Sequence, residues 1–170
     1  AAVQILAENL FAQNADIDAV YAVELPKMRA FMHLDTVFTM VDYDQFIIYP
    51  LLNEHRNVVK ITRSANAYPH FQRMDNLKAA LCDALKVKHL NFIQSGGNDP
   101  VAAAREQWND STNTFVIAPG EVVAYSRNEI SNEILTKNNI KVYAIKGSEL
   151  VRGRGGPRCM TMPLCREKIH

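Results

Sequence analysis

Long hydrophobic runs, paired cysteines and any marked excess of one charge are missing from this 170-residue sequence. No apolar stretch approaches the roughly 20 residues that a bilayer-spanning helix requires, and no basic-then-apolar leader opens the chain. A membrane partner is therefore not expected. The formal net charge of +1 gives no electrostatic case for nucleic acid or an anionic surface. The three cysteines, Cys82, Cys159 and Cys165, are odd in number and scattered. They argue against a disulfide framework and fit a reducing compartment, the cytoplasm. An initiator methionine is absent too. The chain opens Ala-Ala and enters a helical pattern, with Val3, Leu6 and Leu10 in phase and no good N-cap residue ahead. A helix that starts so abruptly looks cut into. The chain is then either trimmed or a piece of a longer protein.

What remains is ample for a core: 48% of the residues are hydrophobic, and the length suits one domain. "AVYAVEL", "HLDTVFTMVD", "QFIIYP", "VVKIT" and "NFIQS" are rich in β-branched and aromatic residues and predict strands. "MDNLKAALCDALKV" predicts a helix, with Leu77, Leu81 and Leu85 on one stripe. "NTFVIAPGEVVAYS" predicts a hairpin turning at Pro119-Gly120. Ser126-x-x-Glu129 reads as a capping box for the helix "NEISNEILTKNN". "KVYAIKGSEL" and "CMTMPL" complete the strands. "GGNDPVAAAREQWNDSTN" reads as a long polar connection that shapes a site or an interface, with Trp108 as a packing residue. A two-strand, helix, strand unit is thus expected twice, over roughly 33–94 and roughly 113–146. The fold class is α/β.

Three places could carry chemistry. His33 and Asp35 stand at i and i+2 in a strand pattern, which places both on one face. A solvated surface pair is one reading and catalysis another. A metal site lacks ligands, since no Cys-x-x-Cys or His-x-x-x-His accompanies them. Cys159 stands where the cationic, glycine-rich "GRGGPR" meets the expected last strand. Structural thiols usually sit inside apolar periodic segments, whereas cationic neighbours raise the thiolate fraction. A reactive thiol and a structural one are both open readings. Arg154 in that loop has the planar fork that suits a carboxylate, against the plainer reading of Arg152, Arg154 and Arg158 as a solvated basic loop. His55, His70 and His89 read as surface groups, and Cys82 as a small core or boundary residue. Cys165 has no evident partner. Asp99, Glu106 and Asp110 lie in the polar connection with nothing to aim them at Cys159.

"MHLDTVFTMVDYD", "GGNDPVAAAREQWNDSTNT" and "RGRGGPRCMTMPLCRE" resemble, in order, consecutive motifs of the arginine deiminases, within the guanidino-group-modifying (pentein) superfamily. The resemblance spans essentially the whole chain but only the C-terminal part of those longer enzymes. It implies part of a five-fold pseudosymmetric α/β propeller of repeated ββαβ units, about two units plus flanking pieces. Residues 1–170 would be the C-terminal portion of a single catalytic domain. Cys159 matches the family's nucleophile and His33 its general acid/base. Asp35 matches a carboxylate that holds the substrate guanidinium, and Arg154 the arginine that holds the substrate α-carboxylate. The family's other guanidinium-binding acids and a further arginine have no counterpart in this sequence.

The resemblance implies hydrolysis of L-arginine to L-citrulline and ammonia through a covalent thiouronium on Cys159. No metal or organic cofactor is called for. The implied partners are the small-molecule substrate and either the missing N-terminal portion or a second copy of the chain, with a homo-oligomer when complete. No nucleic acid and no membrane enter. Two alternatives stand beside this reading. One is a relative that acts on another guanidine or transfers the amidino group. The other is an inactive fragment with only a structural or interaction role.

Overall fold

The computed structural model describes residues 2–13, 16–52, 57–64 and 68–165. In chain order the elements are α1 (Ala2–Ala12), β1 (Ala19–Val23), β2 (Phe38–Met40), β3 (Gln45–Ile48), β4 (Val58–Thr62), β5 (His70–Met74), α2 (Leu77–Leu85), β6 (Asn91–Gln94), α3 (Pro100–Trp108), β7 (Phe115–Ala118), β8 (Glu121–Tyr125), α4 (Glu129–Lys137) and β9 (Lys141–Ile145). Short 3-10 turns cover 29–31, 34–36, 50–52 and 150–153. Among the described residues no helix is long and apolar enough to cross a membrane. The mixed α/β class expected from the sequence is the one observed. The chain forms two compact units, residues 1–26 with 53–90 and residues 27–52 with 91–170.

The first unit is an antiparallel sheet in the order β1-β4-β5, with α1 and α2. Ala7 and Phe11 of α1 bury against Ile61, with Val20, Ala22 and Val59 packed around them. Tyr21 and Lys60 face each other across β1 and β4. Asp83 of α2 accepts from both, at 2.6 Å each, and so ties the helix to the sheet. The Lys60 ammonium, and then the Tyr21 hydroxyl, hold the Asp83 carboxyl well below the usual carboxylate range. Asn76, not the neighbouring Asp75, caps α2: its side chain accepts from the Ala79 N–H at 2.8 Å.

The second unit holds two sheets of one topology, β2-β3-β6 and β7-β8-β9. In each, an antiparallel hairpin is followed by a strand parallel to its second member. The bend at 42–44 is closed by the Asp42 side chain, which accepts from the Tyr43 N–H. Gly120 turns the other hairpin at a φ of 74°, a conformation that favours glycine. Val41, just past β2, and Ile47 and Ile93 of the first sheet meet Val122 of the second, Leu135 of α4 and Ile140 just before β9 in one cluster. Each such fully buried aliphatic side chain stabilises by about 1.5–3 kcal/mol relative to exposure.

Several expectations are corrected. Residues 33–37 are not strand; a 3-10 turn occupies Leu34–Thr36, and β2 starts only at Phe38. The polar connection contains the helix α3, with Pro100 in its first turn and Asp99 accepting from the Val101 N–H at 2.9 Å. Residues 157–160 form a turn, and among the described residues no strand follows. Trp108 is 68% exposed, with the Arg29 guanidinium stacked 4.8 Å from its ring centre, so it is not a packing residue.

The Ser126–Glu129 capping box does not form. Asn128 precedes α4 and makes no side-chain cap. The free N–H groups of α4 are met instead by Glu106, which is fully buried on α3. One carboxylate oxygen accepts from the Ile130 N–H at 2.9 Å, and the other from the N–H and hydroxyl of Ser131. The Ser131 hydroxyl oxygen in turn accepts from the Gly96 N–H at 2.9 Å. A negative charge at a helix N-terminus is favourable both electrostatically and as an acceptor. Gly96 sits so close to α3 that a Cβ there would lie 2.2 Å from Ala103 Cα. Glu106→Gln replaces an acceptor by a second donor among donors. It should lower stability by about 1.5–3 kcal/mol, read as a lower urea midpoint at unchanged slope.

Candidate active site

The residues singled out as His33, Asp35, Arg154 and Cys159 all fall in the second unit. His33 is extended (φ −138°, ψ 162°) and exposed at the head of the 3-10 turn. Its N–H donates to Thr36 Oγ1 at 3.3 Å, and the Thr36 hydroxyl donates to the His33 carbonyl at 2.7 Å. Asp35 lies inside that turn and is half-buried. His33 and Asp35 therefore do not share a sheet face. What fixes them is the buried polar run that begins in the last turn of α3 and continues beyond it. Gln107 donates to the carbonyls of Ala30 and Thr36, and Thr112 donates to that of Thr36.

Asn113, fully buried, completes the mooring. Its Nδ2 donates to the Asp35 carbonyl at 3.0 Å and to Asp35 Oδ2 at 3.4 Å. Its Oδ1 accepts from the Cys159 N–H at 3.1 Å. Cys159 is exposed in the turn 157–160, outside any apolar segment. Arg158 N–H donates to the Asn113 carbonyl at 3.3 Å, so two successive residues of the loop hang on one asparagine. The buried Tyr125 donates its hydroxyl to the Gly155 carbonyl at 3.0 Å. Gly155 has a φ of 106°, and a Cβ there would come 2.8 Å from Cys159 Cβ. Arg154 is exposed on the same loop, at φ 62° and ψ 148°.

The structure thus brings Asp35 and Cys159 onto one buried amide. Among the described residues no hydrogen bond or ion pair joins His33 or Arg154 to Cys159. Arg152 pairs instead with Glu149 at 3.1 Å on the surface. His70 and His89 are exposed and Cys82 half-buried in the other unit, while His55 lies outside the described residues. Cys165 is exposed. Asp99 and Glu106 are helix caps. Among the described residues no three His, Cys, Asp or Glu side chains gather closely enough to hold a metal ion.

Sequence reasoning passed over Asn113 and Tyr125, because an asparagine in a polar run and a tyrosine at a strand end carry no local signal. It also set Asp110 aside. The structure places Asp110 within electrostatic reach of Asp35 and of Arg127. Burial pushes its carboxyl up, the Asp35 charge adds to this, and Arg127 opposes it. Burial likewise raises the Tyr125 hydroxyl, with the Asp110 charge next and the Cys159 charge contributing least.

Comparison with known proteins agrees over nearly the full length. The family model described as "Arginine deiminase" matches residues 1–166. The arginine deiminase of Listeria monocytogenes serotype 4a (strain HCC23) is 49% identical over 171 residues, which takes in 99% of this chain and 42% of that protein. That of Listeria welshimeri serovar 6b is also 49% identical, and that of Levilactobacillus brevis (strain ATCC 367) 48%, with the same coverage. The chain spans 42% of the length of these relatives.

Asp110 offers a test of the site's electrostatics. Its folded-state carboxyl holds a proton more tightly than the unfolded one. The charge therefore detracts from stability as pH rises from the ordinary carboxylate value through the raised one, and the penalty is complete above it. Asp110→Asn should raise the Tm at neutral pH and lose that advantage in acid, where both forms of the chain are neutral here. Asparagine also suits the φ of 58° at this position. Thermal unfolding at both pH values checks it, and an equal gain at both would exclude charge as the cause.

Proposed function

The chain belongs to the arginine deiminase family, and we propose that it carries the nucleophile-bearing part of a site that hydrolyses L-arginine to L-citrulline and ammonia. The observation that carries this reading is the Asn113 amide, which binds the Cys159 main chain on one side and Asp35 on the other. The Cys159 main chain and the Asp35 carboxylate are thereby held by one side chain, and attack on a cationic carbon calls for a thiol with a carboxylate near it.

A guanidinium is a planar cation that only donates hydrogen bonds. Asp35 accepts from it and offsets its charge. Arg154 takes the substrate α-carboxylate in its fork. The Cys159 thiolate attacks the guanidinium carbon, and a tetrahedral adduct forms. His33, as imidazolium, protonates the departing nitrogen, and the C–N bond breaks to release ammonia. A thiouronium remains on Cys159. His33, now neutral, takes a proton from water, whose oxygen adds to the same carbon. Collapse breaks the C–S bond, gives up the adduct's hydroxyl proton to ammonia or solvent, returns the thiolate and leaves citrulline. One imidazole thus serves as acid and then as base. The chemistry uses neither metal nor cofactor.

Two further features belong to the same reading. The shared topology of the β2-β3-β6 and β7-β8-β9 sheets supports their being successive ββαβ units of a five-fold pseudosymmetric propeller. Residues 1–170 then make the C-terminal portion of one catalytic domain. The exposure of His33, Cys159 and Arg154 supports completion of the site by sequence that the longer relatives have beyond the matched stretch. A cation withdrawn from water needs more partners than one carboxylate, or its burial is unfavourable by several kcal/mol.

Completed with that additional sequence, the enzyme should lose citrulline formation on Cys159→Ser while staying folded. Cys82→Ser and Cys165→Ser should be mild, and equal loss in all three would refute the nucleophile assignment. Assayed alone, with its mass confirmed, the 170-residue chain should form citrulline at a negligible rate. Turnover near that of an intact deiminase would mean that the site is already whole.

A further inference from the structure

We infer that Asn113 is the positioning residue of this site: its buried amide sets the Asp35 carboxylate against the Cys159 main chain, and through Asp35 it determines how strongly a planar cation is drawn to the thiol. The inference rests on the reading of Asp35 and Cys159 given above and adds the residue that holds them together.

The orientation of the amide is fixed by chemistry. A main-chain N–H only donates, and a carbonyl and a carboxylate only accept. Oδ1 must therefore face the Cys159 N–H, and Nδ2 must face the Asp35 carbonyl and Oδ2. Rotation by half a turn would oppose donor to donor and acceptor to acceptor. The main chain of Asn113 is held as well, its N–H on the Asp110 carbonyl at 3.0 Å and its carbonyl by the Arg158 N–H. With no exposed surface, the side chain has no water to fall back on.

Space selects the same residue type. Gly156 lies so close that a Cβ there would be 2.5 Å from Asn113 Oδ1 and 2.6 Å from its Cβ. The amide cannot retreat toward the loop, and a glutamine would overfill the site. Aspartate would supply acceptors only and set a second negative charge against Asp35. Serine is too short to reach both neighbours. Among the described residues nothing else hydrogen-bonds the Asp35 carboxylate, and Asn113 touches only Oδ2. Oδ1 is left for the N–H of an amidinium or guanidinium.

The test uses the full 170-residue chain and needs no turnover. It is alkylated with 2-chloroacetamidine, a planar cation, and separately with 2-chloroacetamide, its neutral counterpart. In both, sulfur displaces chloride: a C–S bond forms and C–Cl breaks. Peptide mass mapping gives the rates at Cys159 and at exposed Cys165, whose cation-to-neutral ratio corrects for intrinsic reactivity. The corrected ratio at Cys159 should be about fivefold or more, as expected for one carboxylate a few ångströms away. Asn113→Ala should lower it to about that of Asp35→Asn, and the double variant should lower it no further. A merely structural role would change both probes alike and leave the ratio intact. Asn113→Ala at the unaltered ratio, with Asp35→Asn lowered, would overturn the inference and leave the proposed function standing. An unaltered ratio in Asp35→Asn would remove Asp35 from the site, and both readings with it. Circular dichroism verifies folding. Should Asn113→Ala not fold, Asn113→Ser makes the same comparison, and loss of fold in both would assign Asn113 to structure alone.

Discussion

A polar side chain removed from water is costly unless it finds a partner inside, and in the second unit that constraint ties together the irregular segments around the candidate site. Glu106, Gln107, Thr112 and Asn113 are all buried in one short stretch. Each is satisfied by a segment remote in sequence: α4 for Glu106, residues 30–36 for Gln107 and Thr112, and the 158–159 loop for Asn113. Thr39 adds a bond to the Thr112 carbonyl at 2.7 Å, which ties β2 to the same run. Apolar packing in this unit joins sheet to sheet. The polar run does the finer work of fixing irregular chain, where no ladder of backbone bonds exists. A buried amide left half-satisfied is unfavourable by about 1–3 kcal/mol, so these segments are held in register and not merely near one another.

How much of this was legible in the sequence follows from how local each signal is. The hairpin at Pro119-Gly120, α4 and the strands around them were readable because periodicity and turn chemistry act within a few residues. The element order around the second repeat was legible, but the parallel pairing of β3 with β6 and of β8 with β9 was not, and α2, expected in the first repeat, falls in the other compact unit. What failed was mostly short. Leu34–Thr36 alternates well enough for a strand, but Thr36 bonds back to His33 and closes a turn. "CMTMPL" has strand composition, yet a proline and the absence of a partner strand leave it unpaired. The helix α3 was hidden by its polarity: its buried face is Ala102, Ala103, Glu106 and Gln107, so its inward side does not look apolar.

The site divides in the same way. Cys159, His33, Asp35 and Arg154 stood out because reactive residue types in unusual local settings can be seen one at a time. Asn113 and Tyr125 could not, since their importance lies only in what they touch. The capping of α4 makes the point by contrast. Ser126 and Glu129 have the right spacing for a box, but the Ser126 N–H is taken by the Ile145 carbonyl at 2.8 Å, the helix starts only at Glu129, and its Ile130 and Ser131 N–H groups are met by a fully buried carboxylate from another helix. Local rules name the need, here a set of free donors, and tertiary structure decides which residue meets it.

The loop itself shows where local preference has been overruled. Arg154 adopts φ 62° and ψ 148°, close to a region that is essentially confined to glycine. Its neighbour Gly153 has a backbone with open space around the missing Cβ, and nothing there calls for glycine. Had conformation alone chosen the residues, the glycine would stand at 154 and the larger side chain at 153. The observed order destabilises the loop by about 1–3 kcal/mol. Two constraints beside it leave no room for relief. Gly156 is wedged against Asn113, and the Gly155 carbonyl is held by the Tyr125 hydroxyl. With the two residues that follow it fixed, the strain at 154 cannot pass on toward Cys159, and the arginine stays exposed on the loop that carries that cysteine. That is the side chain a free α-carboxylate needs, and under the proposed reading its placement accounts for an arginine where the backbone alone would favour glycine.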